Sequence, residues 1–284
     1  MNTNNTLLQN FVQQALKEDV ADGDHTSLST IPANKQGKAK LLIKEDGIIA
    51  GVDVALQIFK EIDPNLKVEI LIKDGEAVSI GDIAFYVSGS VHSILIAERL
   101  VLNTMQRMSG IASTTHQVVE KLKGTQTQVL DTRKTTPNLR FLEKMAVKIG
   151  GGVNHRFGLY DMILIKDNHV DYAGGISQAI KASRKYLSEK NLNIPVEIEV
   201  RNLNELNQVL ETGHIDRVLL DNFSFADLKK AVSIIGGRFK TEASGGITLD
   251  NVLEYAQCGV DFVSMGALTH SVKSLDMSLK AIES

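Results

Sequence analysis

Beyond residue 120 the chain alternates between short apolar runs and helical patterns, and this alternation restricts the fold more than any other feature. Runs at 128–131, 162–166, 196–200, 217–221, 239–243 and 261–265 read as strands. Between most of them, at 176–187, 203–211, 225–234 and 249–258, apolar residues recur at helical spacing. Strands alternating with helices imply parallel pairing through right-handed crossovers, which leaves an α/β barrel or a doubly wound sheet. Each run ends in charged or small residues: Asp131 before Arg133 and Lys134, Lys166 before Asp167, Glu199 before Val200, Asp221 before Asn222, Glu242 before Ser244, and Gly266 after the last. A barrel gathers such ends on one catalytic face, whereas a doubly wound sheet spreads them along a crevice. So many polar ends favour the barrel.

The first 90 residues have a different texture. A helix is expected at 7–16 and another at 53–61, with strands at 38–44, 47–50, 67–72 and 82–87 between Gly and Asp punctuation. Helices at 94–108, 114–122 and 139–149 follow. The expected division is a mixed α/β domain at 1–110 and a barrel at 111–270, with a C-terminal helix at 271–284 packing on the first domain.

Composition narrows the function classes. The formal net charge is -3 over 284 residues, which argues against a general nucleic-acid or membrane binder. The apolar runs are far too short to span a bilayer. A single cysteine, Cys258, allows no internal disulfide, and the N-terminus shows no basic segment or apolar signal core. The expectation is a soluble cytoplasmic protein whose anion recognition comes from a local cluster of cations.

That cluster lies at 131–169, where Arg133, Lys134, Arg140, Lys144, Lys148, Arg156 and Lys166 accompany His155 and His169. Lys144 and Lys148, four apart on the expected helix, read as one solvated face. Arg133, Lys134, His155, Arg156 and Lys166 stand instead at strand ends and in Gly-rich loops, poor places for charge unless a ligand needs it. Guanidinium forks suit carboxylates and phosphates, and lysine supplies a compact charge, so a multiply charged anion is expected. Glu199 and Asp221, at neighbouring strand ends, suit either a hard cation such as Mg²⁺ or ion pairs with Arg133 or Lys166. No His/Cys spacing resembles a zinc site. Ser244, Gly245, Gly246 and Gly266 follow the last two strands, where barrels commonly bind phosphate through backbone N–H groups.

The run DTRKTTPNLRFLEKMAVKIGGGVNHRFGLYDMILIKDNH at 131–169 resembles the signature of the quinolinate phosphoribosyltransferase family. The segments EDVADGDHTS (18–27), AERLVLNTMQRMSGIAS (97–113), VEIEV (196–200), LLDN (219–222), ASGGI (243–247) and VSMGALTHS (263–271) resemble it in the same order. His25 and Met108 depart from the family pattern at positions with no proposed chemical role. The resemblance implies an N-terminal α/β sandwich domain and an incomplete, TIM-like α/β barrel. It implies a homodimer with shared active sites, or a hexamer of dimers. It further implies that Arg133, His155, Arg156 and Lys166 hold quinolinate, with Arg99 reaching the same site from a second subunit. Lys134 would contact phosphoribosyl diphosphate, Glu199 and Asp221 would hold Mg²⁺ and the ribose side, and Ser244, Gly245, Gly246, Gly266 and His270 would line the phosphate pocket. The implied reaction yields nicotinate mononucleotide, pyrophosphate and CO₂, as in de novo NAD biosynthesis, with no organic cofactor. Two other enzyme readings stay open from residues alone: a related phosphoribosyltransferase of molybdenum metabolism, and a barrel aldolase using Lys166 as a Schiff-base nucleophile. A non-catalytic sensor of the same anions is a third.

Overall fold

The computed structural model describes residues 2–282. In chain order, the elements of the first third are α1 (Asn2–Asp19), α2 (His25–Thr30), β1 (Gln36–Ile43), β2 (Gly47–Ile48), α3 (Val52–Ile62), β3 (Lys67–Ile70), β4 (Ala77–Val78), β5 (Ile83–Ser90) and α4 (Val91–Leu122). Next come β6 (Gln128–Leu130), α5 (Arg140–Ile149), β7 (Ile163–Ile165), α6 (Asp167–Ala173), α7 (Ile176–Lys190), β8 (Val196–Val200), α8 (Leu203–Thr212) and β9 (Arg217–Asp221). The chain closes with α9 (Phe225–Ile235), β10 (Lys240–Ser244), α10 (Val252–Ala256), β11 (Phe262–Ser264), α11 (Ala267–His270) and β12 (Met277–Ile282). None of the helices described is long and apolar enough to cross a membrane.

These elements form two compact units. One holds the chain up to His116, Thr135–Gly151 and the chain from Ser271 onward; the other holds Gln117–Lys134 and Gly152–His270.

The first unit is built on an antiparallel sheet in the order β12-β1-β5-β3. Alternation along β1 sends Ala39, Leu41 and Ile43 inward, as period-two side-chain geometry requires. The amphipathic α3 buries Val52, Val54, Ala55, Ile58 and Phe59. Phe59 meets Phe85 of β5 edge to face, with ring centroids 5.8 Å apart. Asp74 caps α3 from a distance, accepting the Val52 amide at 2.8 Å.

Three expectations about this unit are corrected. Residues 271–284 were expected to form a helix, but β12 runs antiparallel beside β1, pairing Leu41 with Leu279. Met277 and Leu279 point inward at period two, and a strand uses that spacing where a helix would not. The two helices expected around residues 94–122 are one helix, α4. Ser109, Gly110 and Ser113 look like a break but serve close packing. Ser109 and Ser113 accept the Ala50 and Ile48 amides, each at 2.8 Å, and a Cβ on Gly110 would collide with the Lys273 carbonyl oxygen. Lys144 likewise departs from the solvated face expected for it. It is fully buried, because α5 packs the face carrying Phe141, Leu142 and Lys144, while Lys148 stays exposed.

The second unit is a six-stranded parallel sheet in the order β6-β11-β10-β9-β8-β7. Strands β7 to β11 pair in sequence order through crossover helices. β6, the first in the chain, then joins the sheet beside β11, the last. β6 and β7 are not paired with each other, so the sheet is an incomplete α/β barrel. The strands are buried along most of their length, as expected where helices cover a parallel sheet, and Val196, Ile198, Val218 and Leu220, on the face opposite the cavity-lining residues, are fully buried. Register sets Asp221 opposite Ser244 and Val200 opposite Leu220, so the carboxyl ends of β8, β9 and β10 finish at one level.

Candidate active site

A cavity of about 760 Å³ opens where these strands end. Arg133 and Lys134 enter it from the turn after β6, and His155 and Arg156 from the loop before β7. Lys166, Glu199 and Asp221 follow at the ends of β7, β8 and β9. Ser244, Gly245, Gly246, Gly266 and His270 complete the far wall. Thus the positions expected from the sequence to bind anions or metal come together, with one exception. Arg99 belongs to the first unit, where it lines a different cavity of about 520 Å³ beside α1 and α5.

Local chemistry explains each placement. The Lys134 carbonyl accepts the Thr269 hydroxyl at 2.8 Å, tying the turn after β6 to α11. The aliphatic stem of Lys134 passes over Gly266, where an added Cβ would lie 2.9 Å from Cδ. Asp131, fully buried at the end of β6, accepts the His155 amide at 2.9 Å and anchors the next loop. Asp161 turns that loop back by accepting the Phe157 and Gly158 amides at 2.6 and 2.9 Å. The Arg156 guanidinium donates to the Met162 carbonyl at 3.2 Å. Burial, and then the neighbouring Arg133 charge, push the Arg156 guanidinium below its ordinary value. Two guanidiniums close enough to oppose each other are a standing demand for an anion.

The acids share the cavity with these cations. Glu199 lies 3.8 Å from the Lys166 ammonium. Burial raises the Glu199 carboxyl, Lys166 draws it back, and Asp221 raises it further. Asp221 accepts the Ser244 hydroxyl at 2.5 Å on one oxygen and the Asn222 amide at 2.6 Å on the other. Asn222 itself is held at φ 55, with its backbone N–H on the Ser244 carbonyl. Its side-chain oxygen occupies the space that a Cβ on Gly245 would need, and Gly245 has φ 95. Gly245→Ala is therefore expected to displace Asn222 and weaken binding of inorganic pyrophosphate by about tenfold, measured by calorimetric titration. Affinity equal to that of the parent would mean the loop does not hold phosphate.

Four residues of the site were given no chemical role from the sequence: Glu197, Glu242, Arg217 and Asn222. Glu197 and Glu242 are fully buried in the barrel interior, Glu242 lining the cavity, and Arg217 meets Glu242 at 2.7 Å. The available signal was a charged residue inside an otherwise apolar parallel strand, as in the VEIEV run. Burial and the adjacent Glu197 push Glu242 up to about 7, against the pull of the Arg217 charge. A carboxyl raised in the folded state lends stability that is complete below its ordinary 4.5 and fades as pH climbs through about 7. Glu242→Gln, which removes the buried charge, is thus expected to gain about 2 kcal/mol on the parent between pH 5 and pH 8 in urea melts. A difference independent of pH would show that Glu242 stays ionised throughout.

The same arrangement has relatives among known proteins. The family described as quinolinate phosphoribosyl transferase matches over both halves, its N-terminal domain at residues 24–109 and its C-terminal domain at residues 111–280. An Arabidopsis thaliana protein named nicotinate-nucleotide pyrophosphorylase [carboxylating], chloroplastic, is 48% identical over 288 residues, covering 96% of this chain and 82% of its own length. A Bacillus subtilis protein named probable nicotinate-nucleotide pyrophosphorylase [carboxylating] is 40% identical, covering 97% and 94%. The crystal structure of NadC from Streptococcus pyogenes superposes over 100% of both chains with a TM-score of 0.93 at 38% identity. With an incomplete barrel, a cationic cavity at its strand ends and these relatives over nearly the whole length, the chain belongs to the quinolinate phosphoribosyl transferase family.

Proposed function

We propose that the cavity of the second unit joins quinolinate to phosphoribosyl diphosphate, releasing pyrophosphate and CO₂ and leaving nicotinate mononucleotide. The observation that carries this reading is that Arg133, Arg156 and Lys166 line one cavity together with Glu199 and Asp221. Two carboxylates need several fixed cations, and Arg133, Arg156 and Lys166 offer them, with His155 behind Arg156. The diphosphate has Lys134 and the backbone of Gly245, Gly246 and Gly266, beside Ser244 and His270.

Glu199 and Asp221 fit a hard cation that shares its shell with substrate phosphates, being carboxylates at adjacent strand ends within one cavity. Mg²⁺ held there would offset the charge on departing pyrophosphate. Lys134 supports the same departure electrostatically. Cationic character at the ribosyl carbon is met by the acids of the cavity. The pyridine nitrogen, held by its neighbouring carboxylates, attacks that carbon. As a pyridinium it stabilises the carbanion left at the ring carbon when the adjacent carboxylate leaves as CO₂, and a proton from water completes the product, so this step needs no covalent enzyme intermediate. Orientation and fixed charge supply most of the acceleration.

Arg99 of the partner subunit completes the dicarboxylate side in a homodimer of this kind. Its exposed side chain on α4 and its distance in sequence from the other cations support that placement. Lys166 is half exposed and faces Glu199, unlike the desolvated lysine a Schiff-base aldolase needs, so the transferase is favoured.

The test is Arg133→Ala assayed with quinolinate, phosphoribosyl diphosphate and Mg²⁺, following nucleotide and pyrophosphate together. KM for quinolinate is expected to rise roughly thirtyfold or more, as for loss of a charged contact. Unchanged KM and kcat would defeat the substrate assignment.

A further inference from the structure

His155 lines the cavity, yet its two ring nitrogens are turned to other work. The Arg156 backbone N–H lies 2.6 Å from His155 Nδ1. An amide N–H can only donate, so Nδ1 accepts and carries no proton. The ring proton is then on Nε2, and Nε2 lies near carboxylates, 3.0 Å from Glu197 Oε2 and 3.5 Å from Glu242 Oε2, although neither Glu197 oxygen accepts a hydrogen bond from the described residues. The His155 side chain is only 7% exposed, and both glutamates are fully buried. Arg217 closes the column by donating to Glu242 at 2.7 Å.

His155, Glu197 and Glu242 also have the residue types and mutual spacing of a metal site. The hydrogen bonding speaks against one. A metal on Nε2 would need that nitrogen's lone pair, but the Arg156 amide already fixes the proton there. The Arg217 guanidinium also fills the charge complement of Glu242 that a cation would take.

We infer that His155 is a positioning residue, not a charged substrate ligand: it is a neutral Nε2–H imidazole facing the buried carboxylates of Glu197 and Glu242, whose Nδ1 holds the Arg156 amide and so aims Arg156 at the dicarboxylate. Backbone and side chain of Arg156 are thereby fixed from two directions, since its guanidinium also meets the Met162 carbonyl. A neutral ring adds no net charge to a column that already contains two acids and the Arg217 cation. The inference rests on the proposed dicarboxylate substrate for its functional half, and on geometry alone for its tautomer.

Two substitutions separate the nitrogens, because an asparagine oxygen reproduces the Nδ1 acceptor and a glutamine amide reproduces the Nε2 donor. His155→Asn is expected to keep the quinolinate Kd within about threefold of the parent, and His155→Gln to raise it roughly tenfold, the consequence of leaving one buried amide without its acceptor. Affinity for inorganic pyrophosphate should stay at the parent value in both, as a check that the barrel is intact. Equal losses in the two variants would overturn the inference, as would a larger loss in His155→Asn. Nitrogen-15 spectra of histidine-labelled protein, with the His155 signals assigned by their loss in the variants, should show a protonated Nε2 and a bare Nδ1 without substrate, unchanged by adding Mg²⁺. A doubly protonated ring, a proton on Nδ1, or loss of the Nε2 proton on adding Mg²⁺ would also overturn it. Failure of the parent protein to bind quinolinate would sink the functional reading instead, leaving the spectra to decide the tautomer.

Discussion

Asp221→Ala is expected to lower kcat by on the order of a thousandfold, the magnitude reached when a preorganised electrostatic group is removed from a reacting centre. Asp221 stands at the end of β9, where register sets it opposite Ser244, and each of its oxygens is already oriented, one by Ser244 and one by Asn222. A carboxylate held in this way needs no reorganisation when charge develops beside it. Its loss removes half of the acid pair proposed to hold the cation, so the Mg²⁺ concentration giving half-maximal rate should rise together with the fall in kcat. Asp221→Asn keeps the shape and an acceptor for Ser244 but lacks the charge. It should therefore remain almost as impaired while melting at the temperature of the parent. Turnover within threefold of the parent in both variants would remove Asp221 from the reaction.

The second large effect concerns stability, in the first unit. Glu143 of α5 is only 1% exposed, yet it accepts from Arg107 Nε and Nη2 at 2.7 and 2.5 Å on one oxygen. Its other oxygen accepts the Thr136 amide at 3.1 Å, and Arg107 also donates to the Thr136 hydroxyl at 2.8 Å. This is a hydrogen-bonded ion pair whose carboxylate is buried while the arginine stays partly exposed. Arg107→Ala leaves the carboxylate buried without its cation and is expected to destabilise the protein by about 3–4 kcal/mol. The double variant Arg107→Met with Glu143→Leu removes both charges at similar volume and should recover most of that loss. Urea unfolding followed by circular dichroism measures both, and hydrogen exchange along α5 should quicken in the single variant. A single variant within 0.5 kcal/mol of the parent, the scale of an ordinary surface change, would show that the pair contributes little.

How far the site could be read from the chain depended on the range of the signal. The ends of β6 to β11 were legible because a strand's polar end is a local feature, and parallel crossovers bring every such end to one face. Arg133, Lys166 and Asp221 follow from that rule. Glu197 and Glu242 do not. A glutamate in a strand can face the barrel interior or the helices outside, and its charge is tolerable inside only beside His155 and Arg217, which lie on separate segments. Ser109 and Gly110 read locally as a helix break, and only the segments packed against α4 show why small residues stand there. The helix expected at 271–284 gave way for a related reason, since an edge strand takes its identity from the partner it finds on β1.

Order along the chain, then, determined the barrel, the mixed α/β first unit, the cationic 131–169 segment and the two acids at neighbouring strand ends, because each is written in periodicity or residue type over a few neighbouring positions. Tertiary structure alone decided which charges are buried, which nitrogen of His155 carries the proton, and whether α4 and β12 take the forms they do. Those outcomes depend on what a side chain meets after distant segments close around it: the energy of a buried charge or an unpaired amide is set by its surroundings, and surroundings exist only in the folded molecule.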